Sequence, residues 1–276
     1  MNQLQKTELE LLRAFINVCL KLNLRYYLVC GSALGAVKYN GFIPWDDDID
    51  VALPRQDYTV FVERAQEYLP NSFFLQNYRT DPEFPCFYCK LRDSRTTFIE
   101  SSVRHRRMNH GVYIDVFPLD GYPSDTRSAQ KLERSKARLN LRLASANAFS
   151  KNQKFTTKVF LMAERLLGTH LRTDQYAKKL DDLLSSYPAE ESKLWCNHGN
   201  WQGAREYAPV EQYGKGIEAV FEGVSVRIPE KYDAYLTQKY GDWRADLPDE
   251  EKIGHHYFAV CDLTRPYTDY CDRKNR

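Results

Sequence analysis

The sequence predicts an α+β fold, a mixed β-sheet of roughly five strands flanked by helices and carrying a helical insertion. Three observations lead there. Short runs rich in aromatic and β-branched residues recur before residue 120, each bounded by Gly, Pro or polar residues. Apolar residues at helical spacing frame them at 4–22 and 55–69. From about 125 to 187 the chain turns helical and basic, with few strand signals.

The elements follow in order. Leu4, Leu9, Leu11, Leu12, Phe15, Ile16, Cys19 and Leu22 recur at helical spacing, with Thr7 and Glu10 as the expected capping pair. RYYLVC (25–30) reads as a buried strand, and SALGAVKY (32–39) as a short helix. Gly41 and Pro44 break the chain, IDVAL (49–53) is the next strand, and Pro54 opens the helix 55–69. Strands are expected at 72–78, 86–93, 96–100 and 112–119, a hairpin at 218–228 and a helix at 230–240.

The 276 residues suit a single domain, 1–276, with the basic elaboration at about 125–187 inside it. Hydrophobic residues at 43% and charged residues at 28% place the chain among ordinary globular proteins. The net charge of +2 gives no global reason to bind nucleic acid, and none is expected as a partner. Seven cysteines, odd in number and scattered, predict reduced thiols in a cytoplasmic protein. The amphipathic N-terminus does not read as a signal peptide, and no run approaches the roughly 18–20 apolar residues of a membrane span.

Chemistry enters in GSALGAVKYNGFIPWDDDIDVAL (31–53). Asp46, Asp47, Asp48 and Asp50 interrupt an otherwise apolar segment, and charges that close repel unless a cation or open solvent relieves them. If 48–53 is a strand, Asp48 and Asp50 point to the same side, roughly 6.5 Å apart along the chain, while Ile49 and Val51 point into the core. Oxygen-only ligands favour Mg²⁺ or Mn²⁺ over zinc.

A bare Asp-x-Asp is usually an exposed acidic turn. Here Gly31-Ser32 stand where a strand runs into a helix, so their amides and hydroxyl suit a phosphate. Asp115 in GVYIDVFPLD (111–120) breaks a second apolar run and is the best third carboxylate. Asp120, past Pro118, is expected to cap a turn. Lys38, Lys90 and Arg92 are candidates to meet phosphate charge, against a solvated strand face for the last two. Trp45 adjoins the acids and either packs under the loop or offers its ring to a quaternary ammonium.

This run, with KLRDSRTTF (90–98), GVYIDVFPLD and FEGVSVRIPEKYDAYLTQKYGDW (221–243), resembles the LicD family of phosphotransferases, within the nucleotidyltransferase-fold superfamily. The likeness spans about 25–120 and 205–256. It implies transfer of a phospho-alcohol, typically phosphocholine from CDP-choline, to a hydroxyl of a surface glycan such as teichoic acid or lipopolysaccharide, or of its lipid-linked precursor. It implies Mg²⁺ (or Mn²⁺) held by Asp48 and Asp50, with Asp115 either completing the metal shell or acting as general base. Gly31 and Ser32 would hold the donor's diphosphate. A histidine recurs in this family near the position of His255, which makes that residue a candidate for the rim. The competing enzymatic reading is nucleotidyl transfer from an NTP to make an NDP-alcohol or NDP-sugar.

Two features stand outside that reading. Cys86-x-x-Cys89 with Cys196 and His198 resembles a zinc set only weakly, because residues three apart on a strand face opposite sides. The segment 127–158 carries nine Lys and Arg, Arg127 through Lys158, against Glu133 alone. It reads as a solvated helix face or as a basic platform for an anionic glycan or the inner membrane surface, giving peripheral contact.

Overall fold

The computed structural model describes residues 1–146, 159, 162, 171–200, 203–246, 248, 250, 252, 254 and 257–271. Helix α1 (Gln3–Leu22) opens the chain. Its cap is not Thr7 and Glu10 but Asn2 and Gln5, whose side chains each accept the other's backbone amide at 2.9 Å. Thr7 already lies inside the helix and donates to the Gln3 carbonyl. Leu11, Leu12, Phe15 and Val18 are fully buried against the sheet.

The central sheet runs β1 (Tyr27–Leu28), β2 (Asp50–Pro54), β6 (Val112–Tyr122), β4 (Cys89–Asp93), β3 (Phe73–Gln76). β2 and β6 are parallel, and the other neighbours in that row are antiparallel, so the sheet is mixed as expected. A parallel pair needs a crossover, supplied by α3 (Arg55–Arg64) and the strands after it. β5 (Thr97–Glu100) leaves this sheet and pairs with β11 (Phe258–Asp262). β7 (Leu194–Cys196) and β8 (Tyr207–Pro209) extend the far half of β6.

β6 is the axis of the molecule, and all eleven of its residues are buried. It does not stop at Pro118. Asp120 sits within it, paired in register with Cys196, and is not the turn cap its sequence context suggested. A buried carboxylate there needs a partner, and Arg55 donates to both its oxygens, at 2.6 and 2.8 Å.

Around this axis, α4 (Thr126–Ala146) packs on α5 (Thr173–Leu184) through Leu132, Leu180 and Leu184. The hairpin of β9 (Ile217–Phe221) and β10 (Val224–Ile228) buries Val224, Val226 and Ile228 while Ser225 and Arg227 face out. α6 (Tyr232–Tyr240) follows and closes against α2 (Cys30–Tyr39). No helix among the described residues is long and apolar enough to cross a membrane.

Candidate active site

The site forms where β1 turns into α2 beside the first residues of β2. The expected strand 25–30 is cut short because the chain reverses within one residue. Cys30 takes a left-handed φ of 53°, costly for a residue with a Cβ. Three contacts hold it: its amide donates to Tyr235 Oη at 3.1 Å, Asn200 Nδ2 lies 3.2 Å from its sulfur, and its neighbour Val29 donates to the Asp50 carbonyl. The first intrahelical bond of α2 is Ala33 to Val29. Gly31 and Ser32 therefore have no intrahelical carbonyl to bond, and their amides lie in the positive first turn of the helix.

Ser32 contributes differently from expectation. Its hydroxyl accepts the Asp50 amide at 2.8 Å, fixing the start of β2 rather than facing a ligand. β2 begins at Asp50, so Asp48 belongs to the irregular segment before it and not to a strand. The carboxylates converge all the same. Parallel register sets Asp50 directly beside Asp115 on β6, and oxygens of Asp48, Asp50 and Asp115 lie within 4.8 Å of one another. Asp46, Asp47 and Asp48 form a second such group.

The electrostatics are lopsided. Burial, then the charges of Asp48, Asp115 and Asp46, push the Asp50 carboxyl well above its usual range. Burial, then the charges of Asp48 and Asp47, raise Asp46 to about 8. Carboxyls that repel one another inside a low-dielectric pocket, with only oxygen donors, suit a hard divalent cation. Any side chain at Gly31 would bring its Cβ to 2.7 Å from Asp46 Oδ2, so the close approach of loop and helix needs glycine there.

A cavity of about 590 Å³ opens over these residues, the right size for a small-molecule ligand. Gly31, Asp46, Asp48, Asp50 and Asp115 line one side. The aromatic walls are Tyr39, Trp45, Tyr88, Phe117, Tyr240 and Trp243. Phe117 follows Asp115 by two on β6 and so shares its face; its ring lies 4.6 Å from that of Tyr88.

The remaining expected residues are placed as follows. Lys90 is opposite Asp115 in register, with Nζ 3.2 Å from its carboxylate and 3.3 Å over the Tyr113 ring. It holds Asp115 from behind and does not line the cavity. Arg92 is fully buried, not on a solvated face, and its guanidinium donates to Gln76 and the Gly111 carbonyl. Lys38 lines the cavity but donates to the carbonyls of Arg244 and Ala245, at 3.0 and 2.8 Å. Trp45 packs edge-on against Tyr39, with Lys252 5.7 Å from its ring. His255 lies outside the described residues. Cys89 opens β4, which starts three residues later than the expected strand at 86, and Cys86 lies in the irregular segment before it; burial raises their thiols, Cys86 to about 11 and Cys89 to about 12. Cys196 contacts His198 instead, at 3.4 Å.

The family model described as LicD/FKTN/FKRP, nucleotidyltransferase domain, matches residues 23–138, which include Gly31, Ser32 and the three aspartates. A lipopolysaccharide cholinephosphotransferase, LicD, of Haemophilus influenzae is 28% identical over 256 residues, 90% of this chain and 92% of that protein. An uncharacterized protein of Rickettsia prowazekii is 31% identical over 103 residues, 37% of this chain. Residues 23–138 are a LicD-family domain, and the chain is related nearly end to end to a LicD phosphotransferase.

The LicD match leaves out two parts of the site. Tyr240, Asp242 and Trp243 reach the cavity from the end of α6, and the motif YGDW (240–243) was the signal for them. Glu8, on α1, feels the charges of Asp48, Asp47 and Asp46. Nothing in its sequence context set it apart from any other acid on a helix.

Proposed function

We propose that this LicD-family chain transfers a phospho-alcohol, phosphocholine from CDP-choline, to a hydroxyl of a surface glycan or its lipid-linked precursor. The observation that carries the reading is the convergence of three carboxylates, Asp48, Asp50 and Asp115, in one cavity with Gly31 at the first turn of α2. The Haemophilus relative, named for cholinephosphate transfer to lipopolysaccharide and matched nearly end to end, supports the transferred group and the acceptor class. The superfamily fold, like the single-domain organisation and a cytoplasmic location, belongs to this proposal.

The carboxylate set suits Mg²⁺ or Mn²⁺, which would supply charge neutralisation at the donor's diphosphate. This chain's residues then do the rest. The amides of Gly31 and Ser32, with the α2 dipole, bind phosphoryl oxygen. The acceptor oxygen attacks the phosphorus that carries choline, the bond to CMP breaks, and CMP leaves. Asp115 either takes the hydroxyl proton or completes the cation's shell; Lys90, 3.2 Å from its carboxylate, keeps it oriented. The aromatic walls beside the carboxylates suit the quaternary ammonium group.

Contact with an anionic surface is part of the proposal. Arg127, Lys131, Arg134 and Arg138 form one exposed stripe on α4. Lys151, Lys154 and Lys158 lie outside the described residues.

The experiment is a thermal-shift panel of CDP-choline, CDP-ethanolamine, CDP-ribitol, CDP-glycerol and CTP with Mg²⁺, on wild type and Asp48→Ala, followed by product analysis with a glycan acceptor. A metal-dependent shift with one CDP-alcohol, lost in Asp48→Ala, and release of CMP support transfer. A shift with CTP alone, and pyrophosphate as product, turns the reading to nucleotidyl transfer. No response from folded protein sinks both.

A further inference from the structure

We infer that a second cation position lies beside the Asp48–Asp50–Asp115 triad, held by Asp46, Asp47 and Asp48, with Glu8 of α1 as its buried fourth carboxylate. The first observation is the second group of carboxylate oxygens, Asp46, Asp47 and Asp48, all within 4.8 Å of one another. An acidic cluster alone says little. Glu8 is the independent observation.

Glu8 is 2% exposed, and its Oε2 has no hydrogen-bond partner among the described residues. A buried carboxyl oxygen left unbonded is destabilising. It shares a face of α1 with Gln5, three residues earlier, which donates to the Asp46 carbonyl of this loop at 3.0 Å, and after burial the charges that act on it are those of Asp48, Asp47 and Asp46. Asp46 cannot retreat toward α2, since its Oδ2 already lies against Gly31. A divalent ion in the loop relieves every one of these repulsions and gives Glu8 Oε2 a partner, directly or through a coordinated water. All donors are oxygens, so the ion is Mg²⁺, Mn²⁺ or Ca²⁺. The inference rests on the metal-binding reading of the triad only through Asp48, which both groups share.

The test counts ions and needs no substrate. Mn²⁺ alone is titrated into the full chain, and the free ion is followed by electron paramagnetic resonance. Wild type is expected to bind two ions, Glu8→Gln one and Asp115→Asn one. Glu8→Gln keeps the shape of the side chain and removes a buried charge, so its metal-free melting temperature should hold or rise. Should that variant fail to fold, Asp47→Asn, in the half-buried loop, takes its place with the same expected loss of one ion. A single ion in wild type, removed only by Asp115→Asn, overturns the second position and leaves the triad standing. Two ions retained in both Glu8→Gln and Asp47→Asn overturn it as well. If Asp115→Asn alone keeps both ions, the triad reading fails while the Glu8 position survives.

Discussion

Asp115 and Asp120 stand five residues apart on the same buried strand, on opposite faces, and they live in opposite electrostatic worlds. Asp120 is matched: Arg55 grips both its oxygens and also donates to Asp181 at 2.8 Å, and Tyr78 donates to that same aspartate. Burial works against the Arg55 charge, yet Asp120 and Asp181 hold its pKa above the ordinary value. Asp115 is outnumbered. It has Lys90, but it faces Asp48 and Asp50 and, beyond them, Asp46 and Glu8. Buried charge that is balanced within the chain is architecture. A surplus of one sign is a place for something the chain does not itself supply.

The sharpest way to break this contrast is to neutralise one member of each cluster. Asp50→Asn should lower phosphocholine transfer by about a thousandfold or more, roughly 4 kcal/mol of barrier. Its metal-free unfolding midpoint should stay level or rise, because a repulsive charge is gone. Asp120→Asn should do the reverse, costing about 3 kcal/mol in urea titration by stranding Arg55, while the folded fraction still turns over. Equal stability losses in the two variants would erase the distinction. Next in size is the ligand itself: Mg²⁺ at about a hundred times its Kd should stabilise wild type by roughly 2.7 kcal/mol, and Asp50→Asn by much less.

The two regions should also answer pH with opposite signs. Asp46, raised to about 8, binds its proton more tightly in the folded chain. Without metal, its contribution is full below about 3.9 and is lost as pH climbs through 8. His198 sits in the matched region, between Cys196 and Lys136 and within the field of Arg55. Burial and those cations lower it to about 3, so its contribution is full above about 6.5 and is lost as pH falls toward 3. Melting curves in chelator should therefore lose their fall between about pH 6.5 and 8 in Asp46→Asn, and lose the opposing rise between about pH 4 and 6.5 in His198→Asn. The smallest effect is expected for Lys38→Met, a few tenths of a kcal/mol, since Asp246 of its ion pair is 83% exposed. A loss above about 1 kcal/mol would mean that the carbonyl bonds to Arg244 and Ala245 carry more than a surface tie.

Much of this was legible in the residues. Alternation in IDVAL and VYIDVFPL separated the acid from the apolar face, and the strand-to-helix junction at Gly31 marked the start of α2. What escaped was pairing across long distance. Arg92 reads as a strand cation until the fold surrounds it, and Ser32 reads as a phosphate ligand until the Asp50 amide claims its hydroxyl. Asp120 follows a proline, a local signal for a turn, but β7 continues the ladder from the other end of the chain. Glu8 had no local signal at all, because its meaning is set by residues some forty positions away.

The capped start of α1 has a practical consequence. Its first three turns lie before the stretch that marks the family, which begins at residue 23, yet Gln5 bonds the loop that carries the aspartates and Glu8 feels its charges. A chain that began at residue 23 would keep every named motif and lose part of the scaffold behind them. Minimal versions of this protein, and tags fused ahead of Asn2, should accordingly be judged by catalysis and metal affinity, not by yield or solubility.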